Sequence, residues 1–195
     1  MEVLVDPAVS EAKFNREVAD FRKLENEYRE KGWWMLRAKF PEVSVVFVSP
    51  KLTPPSVLFG VELNFENYDL WPPSVRLVNP FTRIPYTYDK LAFKLLRLVP
   101  VQAPPGQAGQ MMAQQPLMVA HRPDQIPFLC LPGVREYHDH PAHTGDSWLL
   151  RRGKGEGTLN FILTQVFTYG VEPINSLQFA MNISVTGFNV GGVPQ

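Results

Sequence analysis

The chain has 195 residues, of which 45% are hydrophobic and 12% aromatic, which is enough for one domain with a full core over residues 1–195. Its 19 basic and 19 acidic residues cancel, which argues against a nucleic-acid partner bound through bulk charge. We see no secretory signal and no apolar run near the roughly 20 residues that span a bilayer, so we expect a cytoplasmic protein without a membrane partner.

The first predicted element is an amphipathic helix over residues 11–30. Its expected buried face has apolar residues at helical spacing, namely Phe14, Val18, Phe21, Leu24 and Tyr28. Charged residues occupy the other face. Ser10 is the expected N-cap, and Gly32 is the expected end of the helix.

A run of short strands with turns at close intervals follows this helix. The strands are predicted at residues 33–40, 43–48, 57–65 and 75–78. Pro41, Pro54-Pro55 and Trp71-Pro72-Pro73 mark the breaks between them. This spacing is typical of an antiparallel meander of about four strands, so the fold class is α+β.

The composition changes between residues 100 and 127, where Pro, Gln, Gly, Ala and Met dominate. A stretch of this length with strong breakers predicts a long insertion or flap. Residues 172–195 are expected to form a C-terminal extension, which alternates weakly enough to supply one more strand or to remain loose.

A second helix is predicted at residues 158–169, packed on the sheet. Thr158 is its expected N-cap and Gly170 its expected stop. Its expected buried stripe consists of Leu159, Ile162, Leu163 and Val166.

Cys130 is the single cysteine of the chain, so it cannot form an internal disulfide. Three roles remain for such a thiol: an apolar core residue, a metal ligand or a nucleophile. Its apolar neighbours Phe128, Leu129 and Leu131 favour the core. Its place between the strand meander and the second helix favours the nucleophile.

Three of the four histidines fall within six residues of one another, in the stretch from Tyr137 to Trp148. His138, His140 and Asp146 are candidates to assist chemistry at Cys130 as proton acceptors. A second hypothesis is a zinc site formed by His138, His140, His143 and Asp146, with Cys130 as a further sulfur ligand. A third is a loop ordered by hydrogen bonds and anchored in the core by Trp148.

The order of these elements resembles the ubiquitin-conjugating (E2) family. The similarity is most specific from Phe59 to Leu77, where an alternating strand, an aromatic-rich turn and a Pro-Pro pair precede the next strand. Phe128-Leu129-Cys130-Leu131 is similar to the Ile-Cys-Leu around the family's thioester-forming cysteine. Trp148 and the helix after it also match, so the resemblance covers roughly residues 10–172.

Two features differ from eukaryotic members of that family. His121-Arg122-Pro123-Asp124 stands where they carry His-Pro-Asn, so an Asp replaces the Asn linked to oxyanion stabilisation. The insertion at residues 100–127 has no eukaryotic counterpart. The chain is more similar to divergent bacterial E2-like proteins, which are encoded with E1-like, ubiquitin-like and JAB-peptidase partners in systems associated with antiphage defence.

The resemblance implies a UBC-like fold and an acyltransferase that carries a ubiquitin-like protein as a thioester on Cys130. The expected partners are an E1-like adenylating enzyme, the ubiquitin-like protein, a protein substrate and a JAB-type peptidase. The first helix would dock the E1-like enzyme through Arg16, Arg22, Lys23 and Arg29. Two other functions stay open: an inert binding module on the same fold, and a metal-binding protein or metal-dependent hydrolase that uses the histidines.

Overall fold

The N-terminal helical region begins earlier than the sequence pattern predicts. In a computed structural model that describes residues 4–102 and 110–176, α1 spans Pro7–Lys23 and α2 spans Glu25–Glu30. The N-cap is Asp6, whose carboxylate accepts a hydrogen bond from the Ala8 backbone N–H at 2.9 Å. The prediction of Ser10 was wrong, because Asp6 followed by Pro7 starts the helix one turn earlier and leaves Ser10 buried inside it.

The predicted four-stranded antiparallel meander is confirmed. The strands are β1 (Trp33–Lys39), β2 (Glu42–Ser49), β3 (Ser56–Asn64) and β4 (Ser74–Val78), in the order β1-β2-β3-β4. Alternate residues point to one buried face, which contains Val43, Val45, Phe47, Phe59, Val61, Leu63, Val75 and Leu77. The protein is therefore of the α+β class.

The predicted second helix is also confirmed and lies in the apolar core. It is the last of five helices among the described residues, α5, and spans Leu159–Gly170. The Thr158 hydroxyl accepts a hydrogen bond from the Phe161 backbone N–H at 3.3 Å, as expected of an N-cap. The four residues of the predicted stripe are fully buried: Leu159, Ile162, Leu163 and Val166.

A buried carboxylate on α1 joins the two ends of the fold. Glu17 Oε2 accepts a hydrogen bond from the Leu159 backbone N–H at 3.1 Å, at the first turn of α5. Its other oxygen accepts one from the Tyr68 hydroxyl at 3.2 Å. Burial raises the pKa of Glu17, against the opposing effect of these hydrogen bonds. One side chain thus connects α1, the turn after β3 and α5.

The segment predicted as an insertion or flap contains regular structure in its described part. β5 (Leu96–Gln102) and β6 (Gln110–Pro116) form an antiparallel hairpin that begins before residue 100. β7 (Met118–Val119) then pairs with β8 (Phe128–Leu129). These strands were not recognised in the sequence, because Pro and Gln dominate this stretch. An exposed hairpin can pair with few apolar residues, so it leaves little hydrophobic pattern to read.

Short helices interrupt the loop predicted before α5. α3 spans Arg135–His138 and α4 spans Trp148–Arg151, with a single 3-10 turn at Pro141–His143 between them. The part of the predicted extension that follows residue 176 lies outside the described residues. Within the described ranges, no helix has the length and apolar character needed to cross a membrane.

Candidate active site at Cys130

Cys130 lies directly after β8 and is held there by its own backbone. Its N–H donates a hydrogen bond to the Leu117 carbonyl at 2.7 Å. The flanking Leu129 and Leu131 are buried, whereas Cys130 is partly exposed. The apolar neighbours therefore fill the core, and the thiol is left at its edge.

The thiol lies beside an imidazole. Cys130 Sγ is 3.5 Å from His143 Nε2, which is within hydrogen-bonding distance for sulfur. Burial raises the pKa of the Cys130 thiol, and the Arg97 guanidinium on β5 partly opposes that effect. The protonated thiol is therefore the dominant form at neutral pH, and an adjacent acceptor is needed to produce thiolate.

The residues from α3 to α4, 135–151, are called the histidine segment below. Within it, the His143 ring stacks on the Tyr137 ring, with centroids 3.7 Å apart and an interplanar angle of 19°. The Tyr137 hydroxyl donates to Asp146 Oδ2 at 2.7 Å. Tyr137 thus connects the imidazole beside the thiol to a carboxylate farther along the segment.

Asp146 binds both Tyr137 and Arg151. Its two carboxylate oxygens accept hydrogen bonds from Arg151 Nε and Nη2 at 2.8 and 2.9 Å. The hydrogen bonds from Arg151 and then Tyr137 lower the pKa of Asp146 to about 2. Burial and the bond to Asp146 raise the pKa of Tyr137 to about 12. Both groups therefore keep their ordinary charge state at neutral pH.

His138 orders the backbone of the histidine segment. Its Nδ1 is 2.8 Å from the Asp146 carbonyl oxygen, and its Nε2 is 2.6 Å from the Pro132 carbonyl oxygen. Both nitrogens are therefore engaged away from the thiol.

His140 belongs to a second ring stack at the rim of the site. Its ring lies on the His121 ring, with centroids 4.6 Å apart, and contacts Phe128 at 5.0 Å. Its Nδ1 accepts a hydrogen bond from the Ala142 backbone N–H at 3.2 Å. Desolvation, followed by the neighbouring His121 and His143, lowers the pKa of His140.

The predicted zinc ligands are not arranged around a common point. His138 directs both ring nitrogens at carbonyl oxygens, and Asp146 is bound by Arg151 and Tyr137. Across residues 4–102 and 110–176, no group of three or more His, Cys, Asp or Glu side chains has the arrangement of a metal site. The bonds observed at His138 and Asp146 are those of a hydrogen-bonded loop.

Trp148 anchors the histidine segment to the scaffold, as predicted. Its side chain is buried, and its indole N–H donates to the Asp69 carbonyl at 2.9 Å. Gly157 lies against its ring, where an added Cβ would come within 2.4 Å of an indole carbon. The segment is thus pinned at one end by a packed indole.

An open cleft of about 490 Å³ lies between the histidine segment and the aromatic turn after β3. Trp71 and Pro72 line one side, and His138, His143 and Asp146 line the other. His143 therefore both lines this cleft and contacts Cys130 Sγ, so the imidazole connects the cleft to the thiol.

The segment predicted from its histidines contains the imidazole that lies beside the thiol. His138, His140 and Asp146 are the residues predicted to assist Cys130, and the structure places His143 against its sulfur. Tyr137 was not predicted as a functional residue. Arg97 was not predicted either, because it lies in the β5–β6 hairpin, which the sequence composition did not indicate. The spacing of 13 residues between Cys130 and His143 was the available signal, but it follows no recognised motif.

A family model described as Y4jH-like, of the Y4jH family, matches residues 5–174. A curated relative from Sinorhizobium fredii (strain NBRC 101917 / NGR234), named "Uncharacterized protein y4jH", is 41% identical over 192 residues. The aligned region covers 95% of this chain and 94% of the relative. The similarity thus extends over the scaffold and the site together.

Proposed function

The chain belongs to the Y4jH-like family, and we propose that it is an E2-like conjugating enzyme that carries a ubiquitin-like protein as a thioester on Cys130. The order of a helix, a four-stranded antiparallel meander, a cysteine loop and a closing helix supports a UBC-like fold. Its role would be in a bacterial antiviral conjugation system in the cytoplasm.

The observation that carries this proposal is the position of Cys130. The only thiol of the chain is partly exposed at the end of β8, while both of its neighbours are buried. Such a sulfur can reach a partner's thioester without unfolding the core. A structural cysteine gains nothing from this exposure.

Two transfers make up the proposed reaction. The Cys130 sulfur attacks the carbonyl carbon of the acyl group held as a thioester on the E1-like enzyme, and the E1 thiol leaves. An amine of the protein substrate then attacks the new thioester, forms an amide and releases the Cys130 thiol. The acyl group arrives already activated, so the site must supply only proton transfer and positioning.

The remaining partners follow from the same proposal. The E1-like enzyme would dock on α1 and α2. On α1, Lys23 pairs with Asp20 at 2.5 Å, and on α2, Arg29 pairs with Glu25 at 2.9 Å. Among the ion pairs of the described residues Arg22 takes part in none, so it remains available for an acidic partner. A JAB-type peptidase would act on the modifier or its conjugates.

The direct test combines the purified protein with ATP, an E1-like enzyme and a ubiquitin-like protein of a bacterial conjugation system. A reductant-sensitive adduct is expected on a non-reducing gel. Cys130→Ser should form a reductant-resistant ester, and Cys130→Ala should form no adduct. Reductant-sensitive charging of Cys130→Ala would overturn the assignment.

Docking on α1 has its own test in the same assay. Arg22→Glu should slow charging without lowering the melting temperature, because exposed substitutions usually change stability by only about ±0.5 kcal/mol. Lys90→Glu is the matched control, since Lys90 is exposed on a different part of the molecule. Equal charging rates for both variants at low salt would remove α1 from the proposal.

A binding module on the same fold is the second candidate. The observation that favours it is the raised pKa of Cys130, which lowers the thiolate fraction at neutral pH. In that case the partners bind with equal affinity to the wild type and to Cys130→Ala, and no adduct forms with either. The non-reducing gel separates the two candidates.

A further inference from the structure

We propose that His143 is the acid–base group of this site and that Tyr137 is the positioning residue that holds its ring against Cys130. The identity of the acyl group rests on the function proposed above. The exchange of a proton between His143 and the thiol does not, because it needs only the two side chains.

Geometry selects His143 from the polar groups around the sulfur. Its Nε2 is 3.5 Å from Cys130 Sγ. His138 has both nitrogens against carbonyl oxygens, and the Nδ1 of His140 accepts from the Ala142 N–H. The carboxylate of Asp146 is occupied by Tyr137 and Arg151. Each of these side chains already has a structural task, which leaves His143 to exchange a proton.

The electrostatic surroundings make such a partner necessary. Desolvation keeps Cys130 protonated, and Arg97 on β5 opposes it only in part. On the other side, the titratable groups facing His143 are Tyr137 of α3 and the ring of His140, which itself stacks on His121. Tyr137 is neutral at ordinary pH, because its pKa is raised to about 12. Imidazole is the side chain best suited to accept a proton from a thiol near neutral pH.

The proton balance is the same in both transfers. When Cys130 is charged, Nε2 takes the S–H proton as the new C–S bond forms, and the imidazolium returns that proton to the departing E1 thiolate. When Cys130 is discharged, Nε2 takes a proton from the attacking amine nitrogen as the C–N bond forms. The imidazolium then protonates Cys130 Sγ as the C–S bond breaks. No other co-reactant is needed.

Tyr137 holds the imidazole in place by stacking. The two rings are 3.7 Å apart between centroids, and the phenol is tied to Asp146 at 2.7 Å. Two substitutions separate these contributions. Tyr137→Phe keeps the stacked ring and removes the tie, whereas Tyr137→Leu removes the stacking surface.

The experiment measures the rate at which iodoacetamide alkylates Cys130 across neutral and alkaline pH, with the full chain. Because the chain has one cysteine, every alkylated molecule reports on this site. His143→Gln should shift the rate profile towards alkaline pH and lower the neutral rate by about 10-fold or more. Lys90→Gln, a control at an exposed position outside the histidine segment, should follow the wild-type profile. Tyr137→Leu should shift in the same direction as His143→Gln, and Tyr137→Phe should shift less.

Chemical rescue keeps the test decisive if a variant is partly unfolded. Added imidazole should restore the neutral-pH rate of His143→Ala, because a free base can occupy the vacated space, and should leave the wild-type rate unchanged. A wild-type pH profile in both His143→Gln and Tyr137→Leu would overturn the inference. So would a rate for His143→Ala that does not respond to imidazole.

The outcome is independent of the conjugation assay. If the alkylation profile depends on His143 but no adduct forms with the E1-like enzyme, the proposed function fails and this inference stands. If Cys130 is charged, and His143→Gln is charged and discharged with wild-type pH profiles, only this inference fails.

Discussion

The scaffold and the histidine segment are held together by different forces. α1, α5 and the meander meet through fully buried apolar side chains such as Phe21, Phe47 and Leu163. The histidine segment instead depends on ring stacking, hydrogen bonds and the Asp146–Arg151 ion pair. Burial is insensitive to pH, whereas these polar contacts depend on protonation. The fold should therefore persist under conditions that rearrange the site.

The largest effect should come from a cavity in the scaffold. Leu163→Ala removes a fully buried side chain from α5 and should lower the free energy of unfolding by about 2–5 kcal/mol. Leu149→Ala is the matched control in the histidine segment, where the side chain is 60% exposed. Its effect should stay within about 0.5 kcal/mol. Urea unfolding measures both, and equal losses would erase the distinction between the two regions.

A smaller loss is expected at the buried carboxylate of the scaffold. Glu17→Ala leaves the Leu159 N–H and the Tyr68 hydroxyl without their acceptor and should cost about 1–3 kcal/mol. The exposed Glu11→Ala on the same helix is the control, with no measurable change expected.

The same residue predicts a pH dependence with a definite sign. The pKa of Glu17 is raised above 4.5 by burial, so the folded state binds the proton more tightly than the unfolded state. Its contribution is full below pH 4.5 and is lost as pH rises through the folded-state pKa. The stability of wild type relative to Glu17→Gln should therefore fall as pH rises in that range, and an opposite trend would contradict the assignment.

The histidine segment should respond to acid in the reverse sense. Interaction with Arg151 and Tyr137 lowers the pKa of Asp146 from 3.8 to about 2, so its stabilisation is present above 3.8 and is lost as pH falls towards 2. Asp146→Asn should abolish this dependence and increase amide hydrogen exchange in residues 135–151, with little change in β1–β4. Uniform exchange across both regions would mean that they unfold as one unit.

The smallest effect should be seen at Arg97. Arg97→Gln removes the positive charge that opposes the desolvation of Cys130, so the pKa of the thiol should rise further. Alkylation at neutral pH should slow slightly, and the unfolding transition should not move. Lys154→Gln is the control, because Lys154 is exposed and does not shift the pKa of Cys130. A larger change in Lys154→Gln would mean that net charge, rather than Arg97, sets the effect.

Periodic burial explains which parts of the fold could be predicted. The buried stripe of α5 and the alternation of apolar and polar residues in β3 both result from packing against an apolar core. Both can therefore be recognised in the sequence. The start of α1 was missed because Asp6-Pro7 and Ser10 are both good helix starts, and only the fold decides between them. The β5–β6 hairpin was missed because Pro, Gln and Gly dominate the sequence after residue 100 and neither strand contains a fully buried apolar residue among those described.

The site could be predicted only as far as its residue types. A concentration of histidines near the single cysteine indicated a polar segment, but not which ring would face the sulfur. That choice depends on Tyr137, which stacks on His143, and on the two carbonyl oxygens that engage His138. These are tertiary contacts of a loop, where no periodicity relates sequence position to direction.

The bond between Glu17 and the first turn of α5 links residues 142 positions apart, and this separation sets the order of events during synthesis. A ribosome adding about 5–20 residues per second needs about 4–16 s to translate the roughly 80 residues between the end of β4 and the start of α5. Throughout that interval the nascent sheet lacks the helix that covers part of its apolar face. Chaperones that bind exposed apolar strands should therefore engage this chain on the ribosome and release it once residues 159–170 have emerged.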